Sequence, residues 1–149
     1  MSRRKILEHE SPRHHHPVST IDIGCSDRRI KGSRGLLGAH MDCEMAIPIT
    51  IPGAIKDLVS PKDPRDRESL LEKIELFGDD IKTIRARMHN ECKACGGCQN
   101  LDYYEAMLLE ARKVLMERFP RVEIILVIID FDGFYLVEED EVFAEMVAS

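Results

Sequence analysis

The chain has 149 residues and a mass of 17.0 kDa, the size of one domain. Hydrophobic residues make up 44% of it and charged residues 32%, a balance typical of a folded globular protein and not of a disordered one. The net charge is -6 and no long basic stripe is present, which argues against a nucleic-acid partner.

Membrane and export signals are missing from the sequence. The most apolar run, residues 124–129, has the length of a strand and is too short to cross a bilayer. The first residues lack the apolar segment of a signal peptide. We therefore expect a cytoplasmic protein without a membrane partner, in a compartment where thiols stay reduced. Five cysteines in such a protein indicate metal or redox chemistry before a disulfide framework.

The chain divides by composition into an arm and a domain. Residues 1–17 predict a flexible, His-rich N-terminal arm, and residues 18–149 predict a single domain. Short apolar runs rich in β-branched residues predict strands at 18–24, 43–51, 81–88, 122–130 and 134–137. Pro48 predicts that the second of these strands is an edge strand or is bulged.

Helical segments lie between the predicted strands. Asp63 and Pro64 form a typical helix start, and Gly78 is placed to end that helix. Its apolar residues at helical spacing are Leu70, Ile74 and Phe77. A second apolar helix face, which stops before Pro120, consists of Leu101, Tyr104, Leu108, Ala111 and Leu115. Because Asp132-Gly133 predicts a hairpin, we expect an α/β fold with a mostly parallel sheet, flanking helices and a C-terminal hairpin strand.

Two polar clusters directly follow predicted strands. Cys25-Ser26-Asp27-Arg28-Arg29 follows the first strand, and His89-Asn90-Glu91-Cys92 follows the third. Ligand sites of parallel sheets lie beyond the carboxyl ends of strands, so the two clusters converge if these strands are neighbours. Cysteine and histidine are preferred zinc ligands, and three protein ligands leave a fourth position for water. The sequence therefore predicts Zn²⁺ on Cys25, His89 and Cys92.

The same two clusters carry a family resemblance. Cys25-Ser26-Asp27-Arg28-Arg29 resembles the Cys-x-Asp-x-Arg motif of β-class carbonic anhydrases, and a strand ending in His89-x-x-Cys92 resembles their second motif. The resemblance spans roughly residues 18–137. It implies a zinc lyase with a β-carbonic-anhydrase-like fold, in which a metal-bound hydroxide hydrates carbon dioxide to bicarbonate. It also implies a catalytic dyad of Asp27 and Arg29, and a homodimer or higher homo-oligomer.

Several residues leave other interpretations open. Family members usually have glycine after the second cysteine, but Lys93 stands there and the Cys-Gly step occurs at Cys95, so a site on Cys92 and Cys95 is a rival assignment. Cys98 extends the run to C-x2-C-x2-C, which fits one ligand with two bystander thiols, a second small metal site or an iron–sulfur-like nest. Two arginines in a predicted buried strand, Arg85 and Arg87, indicate an edge, an ion-paired interior or an anion-lined pocket.

Two further functions remain alternatives on the same scaffold. One is a related zinc hydrolase acting on carbonyl sulfide or carbon disulfide. The other is a non-catalytic zinc-binding protein, whose metal site would be closed by another cysteine, such as Cys95 or Cys98.

Overall fold

The computed structural model describes residues 4–5, 19–25 and 46–137 of the chain. These residues form a five-stranded sheet with the strand order β2-β1-β3-β4-β5. The strands are β1 (Thr20–Gly24), β2 (Ile47–Thr50), β3 (Thr83–His89), β4 (Glu123–Asp130) and β5 (Gly133–Val137). The helices are α1 (Lys56–Val59), α2 (Pro64–Glu75) and α3 (Leu101–Arg118).

The sheet is mostly parallel. β1 pairs in parallel with β2 and β3, and β3 pairs in parallel with β4, while β5 returns antiparallel to β4 through the turn before Gly133. This arrangement confirms the predicted α/β class and the C-terminal hairpin. β2 is the edge strand, where Pro48 removes no ladder hydrogen bond that a central strand would need.

The helices cover one face of the sheet. Alternate residues of the central strands point into a common core with α1, α2 and α3, because strand side chains alternate between the two faces. The core residues on the strands are Ile21, Ile23, Ile84, Ala86, Met88, Leu126 and Ile128. The core residues on the helices are Leu58, Leu70, Leu71, Ile74, Tyr104, Leu108, Ala111 and Leu115. No helix within the described ranges is both long and apolar enough to span a membrane.

Helix ends follow the sequence signals closely. Asp63 caps α2 by accepting a hydrogen bond from the Arg65 backbone N–H at 2.9 Å, and Pro64 occupies the first helical position. α2 ends at Glu75, so Phe77 lies beyond the helix whose apolar face it was predicted to extend. Gly78, with φ of +70°, turns the chain there into a short 3-10 segment. The single-turn helix α1 carried no sequence signal that we recognised.

Candidate metal centre

The predicted ligands meet at the carboxyl end of two adjacent strands. Cys25 directly follows β1, His89 is the last residue of β3, and Cys92 lies three residues further along the chain. β1 and β3 are hydrogen-bonded parallel neighbours, so their ends lie at the same edge of the sheet. One potential ligand atom from each of the three residues lies within 4.8 Å of the other two. Within the described residues, this group could hold a metal ion.

The geometry of the donor atoms fits zinc. The Sγ atoms of Cys25 and Cys92 are 3.9 Å apart. Two thiolates on a tetrahedral zinc are separated by about 3.8 Å, because each Zn–S bond measures about 2.3 Å. Cys92 and His89 are buried and Cys25 is half-buried, so the donors sit at the boundary between the core and the surface. Two sulfurs and one imidazole are also a donor set found in catalytic zinc sites.

The His89 ring is oriented by its own loop. Its Nδ1 lies 2.8 Å from the backbone oxygen of Asn90, and we assign Nδ1–H as the donor because a carbonyl can only accept. In that tautomer Nε2 carries the lone pair that a metal requires. Asn90 is itself held by Asp130 at the end of β4, through an Nδ2–Oδ1 hydrogen bond of 3.1 Å.

Tyr104 fixes the loop that carries Cys92. Its hydroxyl accepts a hydrogen bond from the Cys92 backbone N–H at 3.1 Å and donates one to the Cys98 carbonyl at 2.6 Å. The ring is fully buried, and burial raises the pKa of Tyr104 to about 12, so the hydroxyl keeps its proton at neutral pH. The sequence placed Tyr104 on an apolar helix face, and its spacing gave no signal for this positioning role.

Cys95 lies in a tight turn that begins at Cys92, and Cys98 directly follows this turn. The Cys92 carbonyl accepts hydrogen bonds from the backbone N–H groups of Cys95, at 3.0 Å, and Gly97, at 2.8 Å. Gly96 and Gly97 have φ values of +82° and +69°, which glycine adopts without strain. Lys56 of α1 donates from Nζ to the Ala94 carbonyl at 2.7 Å and so ties the turn to the body of the protein.

The thiols of this turn influence one another. The hydrogen bond with Cys25 is the largest influence on the Cys92 thiol and lowers its pKa, but contact with Cys95 and burial together raise the pKa of Cys92. Cys95 shows the opposite net direction: its hydrogen bond with Cys92, and then the nearby Lys56 charge, lower its pKa against the effect of burial. The four cysteines in the described part of the chain are thiols and form no disulfide.

This arrangement bears on the two ligand assignments left open by the sequence. Cys95 contacts Cys92, but among the described residues the group with mutually close ligand atoms consists of Cys25, His89 and Cys92. The third cysteine of the run, Cys98, accepts a hydrogen bond on Sγ from the Asn100 backbone N–H at 3.4 Å. The structure therefore brings together the three predicted ligands and leaves Cys95 beside them.

A buried ion cluster lies on the face of the sheet opposite the helices. Asp22 Oδ1 accepts hydrogen bonds from Arg85 Nε at 3.0 Å and from Arg87 Nε at 2.8 Å. Asp22 and Arg85 are fully buried. The Arg87 guanidinium also crosses Gly24, where a Cβ would lie 2.2 Å from its terminal nitrogen, so a side chain at this position next to Cys25 would displace the guanidinium. Of the three interpretations of these arginines, the structure supports the ion-paired interior.

Several predicted features fall outside the described residues. They are Asp27 and Arg29, the predicted dyad, and the histidines of the N-terminal arm.

The fold and the site define a mostly parallel α/β protein with a candidate Cys-His-Cys metal centre at the carboxyl end of its sheet. No known family model matches the chain. The chain is similar to an uncharacterised protein of Rickettsia bellii (strain RML369-C). The two sequences are 25% identical over an alignment that covers 89% of this chain and 92% of the relative. The similarity thus extends over most of both proteins.

Proposed function

We propose that this chain is a zinc protein of the β-class carbonic anhydrase type that hydrates carbon dioxide to bicarbonate. The observation that carries the proposal is the convergence of Cys25, His89 and Cys92 at adjacent parallel strand ends. Three protein ligands are the usual number at a catalytic zinc, whereas structural zinc sites use four. Zinc bound there would act as a Lewis acid that makes water nucleophilic near neutral pH.

The chain's own residues would support this chemistry by holding and orienting groups. The His89 ring donates a hydrogen bond to the Asn90 carbonyl, and the Cys92 backbone N–H donates one to the Tyr104 hydroxyl, so two ligands are held before any metal arrives. In the proposal, Arg29 pairs with Asp27 through charge-assisted hydrogen bonds, which keeps the carboxylate off the metal and lets it orient the attacking water.

Charge beside the site also favours this product. The Arg87 guanidinium packs across Gly24, the residue before Cys25, and so places a positive charge next to the ligands. In the proposal, a cation near the metal ligands favours the thiolates and the anionic bicarbonate by Coulomb attraction. A cytoplasmic location fits the proposal, because thiols stay reduced in the cytoplasm and the four described cysteines are thiols.

The test combines metal analysis with stopped-flow hydration of carbon dioxide across about pH 6.5 to 9, a range that spans the usual pKa of zinc-bound water. We expect one zinc per chain and activity that rises with pH. Cys25→Ser should lose both zinc and activity, whereas the matched variant Cys98→Ser should keep both. One zinc per chain without activity at any pH would refute the hydration proposal, and assays with carbonyl sulfide and carbon disulfide would then test the hydrolase alternative.

A non-catalytic zinc site is the second candidate, because the Cys95 thiol contacts Cys92 within a C-x-x-C turn. Rotation of the Cys95 side chain could then supply a fourth thiolate and close the site against water. Cys95→Ser separates the two candidates. Loss of zinc in this variant would support the closed structural site, and retention of zinc together with activity would support the catalytic one.

A further inference from the structure

Cys95 lies next to the proposed metal site but has no role in the proposed reaction. Its backbone N–H bonds to the Cys92 carbonyl at 3.0 Å, so residues 92–95 form a tight turn with the two cysteines at its ends. The ends of such a turn lie within about 7 Å of each other at Cα, and a disulfide requires Cα atoms about 4.4–6.8 Å apart. The turn therefore already places both residues at disulfide range.

The two thiols differ in their access to solvent. Cys92 is fully buried, whereas Cys95 is half-buried in a turn whose neighbours Lys93, Gly96 and Gly97 are exposed. A small oxidant in solution therefore reaches Cys95 first. Cys92 stands behind it, in position to react with the oxidised sulfur.

We propose that Cys95 is an oxidation site, at which a peroxide converts Cys92 and Cys95 into a disulfide and so removes Cys92 from the metal ligands. The metal-release part of this inference rests on the proposed zinc site, while the disulfide does not. A disulfide sulfur no longer carries the thiolate charge that binds zinc. Two ligands, Cys25 and His89, would remain, too few to retain the metal tightly.

The reaction balances with hydrogen peroxide as the two-electron oxidant. The Cys95 sulfur attacks the O–O bond, which gives a sulfenic acid on Cys95 and one water. The Cys92 sulfur then displaces the hydroxyl group, so an S–S bond forms and a second water leaves. Two electrons pass from the two sulfurs to the peroxide. Because Cys92 is a thiolate while it binds zinc, the hydroxide that it displaces becomes the second water by taking one proton from solvent. Zinc leaves as the aqueous ion.

Two other pairings, Cys95–Cys98 and Cys25–Cys92, compete with the proposed one. Cys98 has the same spacing from Cys95 as Cys92 has, but Gly96 and Gly97 lie between them with positive φ, and their N–H groups bond to Lys93 and Cys92. Cys25 Sγ lies 3.9 Å from Cys92 Sγ, so a Cys25–Cys92 disulfide is the competing product that peptide mapping must distinguish.

The experiment treats the zinc-loaded full chain with hydrogen peroxide and follows zinc release with a chromogenic chelator, while peptide mapping by mass spectrometry identifies the disulfide. We expect a Cys92–Cys95 disulfide, release of about one zinc per disulfide formed, and recovery of zinc binding after reduction with a dithiol. Cys95→Ser should release zinc at least about tenfold more slowly at the same peroxide concentration. Cys98→Ser is the matched control and should behave as the wild type does.

Each other outcome overturns a stated part of the inference. A Cys95–Cys98 or Cys25–Cys92 disulfide would refute the proposed pair, and equal zinc release from wild type and Cys95→Ser would refute Cys95 as the oxidation site. If the purified wild type binds no zinc, the proposed function fails and metal release is refuted with it. Mapping of the metal-free protein would in that case still decide whether peroxide joins Cys92 to Cys95.

Discussion

Tyr104 is the residue on which the conformation of the ligand loop most depends. Its hydroxyl links the backbone of Cys92 to that of Cys98 and joins both to α3. Removal of this buried hydroxyl leaves the Cys92 backbone donor without its partner, whereas the Cys98 carbonyl still accepts from the Glu91 N–H at 3.1 Å. One side chain outside the metal set therefore helps to fix the loop conformation, and with it the position of Cys92.

Tyr104→Phe should weaken both the fold and metal binding. We expect a loss of about 1–3 kcal/mol in the free energy of unfolding, because the buried Cys92 N–H loses its partner and the Cys98 carbonyl loses one of its two donors. Zinc affinity should fall by about tenfold or more, as it does when an outer partner of a ligand is removed. Urea unfolding and chelator competition measure the two effects. Tyr103→Phe, at the half-exposed neighbouring ring, is the control and should change neither. Unchanged zinc affinity in Tyr104→Phe would contradict the positioning role.

Asp22 is the shared anion of the buried ion cluster, and its loss should be costly. Asp22→Asn removes the negative charge that Arg85 and Arg87 share, and both guanidinium groups are buried. We expect a loss of about 3–5 kcal/mol in the free energy of unfolding by urea. Glu110→Gln, in an exposed pair with Lys113, is the matched control and should have little effect. Similar stabilities of the two variants would show that the cluster contributes little.

The cluster also shows what the sequence could and could not predict at the level of single residues. Arg85 and Arg87 stand out in the sequence because they interrupt an apolar strand. Nothing in the sequence marks Asp22, which lies in another predicted strand, as their partner. The parallel register of β1 with β3 pairs Asp22 with Arg85, and this register is not visible in either strand alone. In contrast, the convergence of Cys25, His89 and Cys92 was predictable, because each ends or follows a predicted strand and the ends of parallel neighbours meet.

At the scale of helices and strands, α2 and α3 are joined by one arginine. Arg118, in the last turn of α3, bonds from Nη2 to Glu68 at 2.7 Å and from Nε to Glu75, both on α2. The Arg118 guanidinium holds the pKa of Glu75 below its ordinary value of 4.5. Because the folded pKa is the lower one, this contact stabilises the fold above pH 4.5, and the stabilisation is lost as the pH falls through the folded pKa.

Arg118→Met should therefore lower the Tm near neutral pH, and its difference from the wild type should shrink as the pH falls below the ordinary glutamate value of 4.5. Thermal unfolding followed by circular dichroism at several pH values measures this. Lys113→Met is the control, since Lys113 pairs with Glu110 three residues away on the same helix and joins no second element. A Tm difference that stays constant down to about pH 3 would exclude Glu75 as the source.

The elements themselves were predictable where local chemistry decides them. Asp63 with Pro64 and the apolar stripe ending at Leu115 marked α2 and α3, and Asp132-Gly133 marked the hairpin between β4 and β5. The single turn of α1 was not predictable, because a four-residue helix has too few positions to show a period. Its place depends on tertiary contacts, including the bond of Lys56 to Ala94.

At the scale of the whole molecule, the exposed hairpin predicts self-association. Phe131 in the turn is 63% exposed, and Leu136 on β5 is 58% exposed. β5 ends the sheet, with β4 as its neighbour among the described strands. An apolar strand at a sheet edge is a ready template for pairing with a second chain. We therefore expect a homodimer formed through β5, with light scattering giving about twice the 17.0 kDa of one chain.

Leu136→Lys should shift this mass towards the monomer, because it places a charge in the interface. Leu76→Lys, at the exposed end of α2, is the control and should leave the dimer intact. A monomeric wild type would exclude self-association, and a dimeric Leu136→Lys would place the interface on another surface.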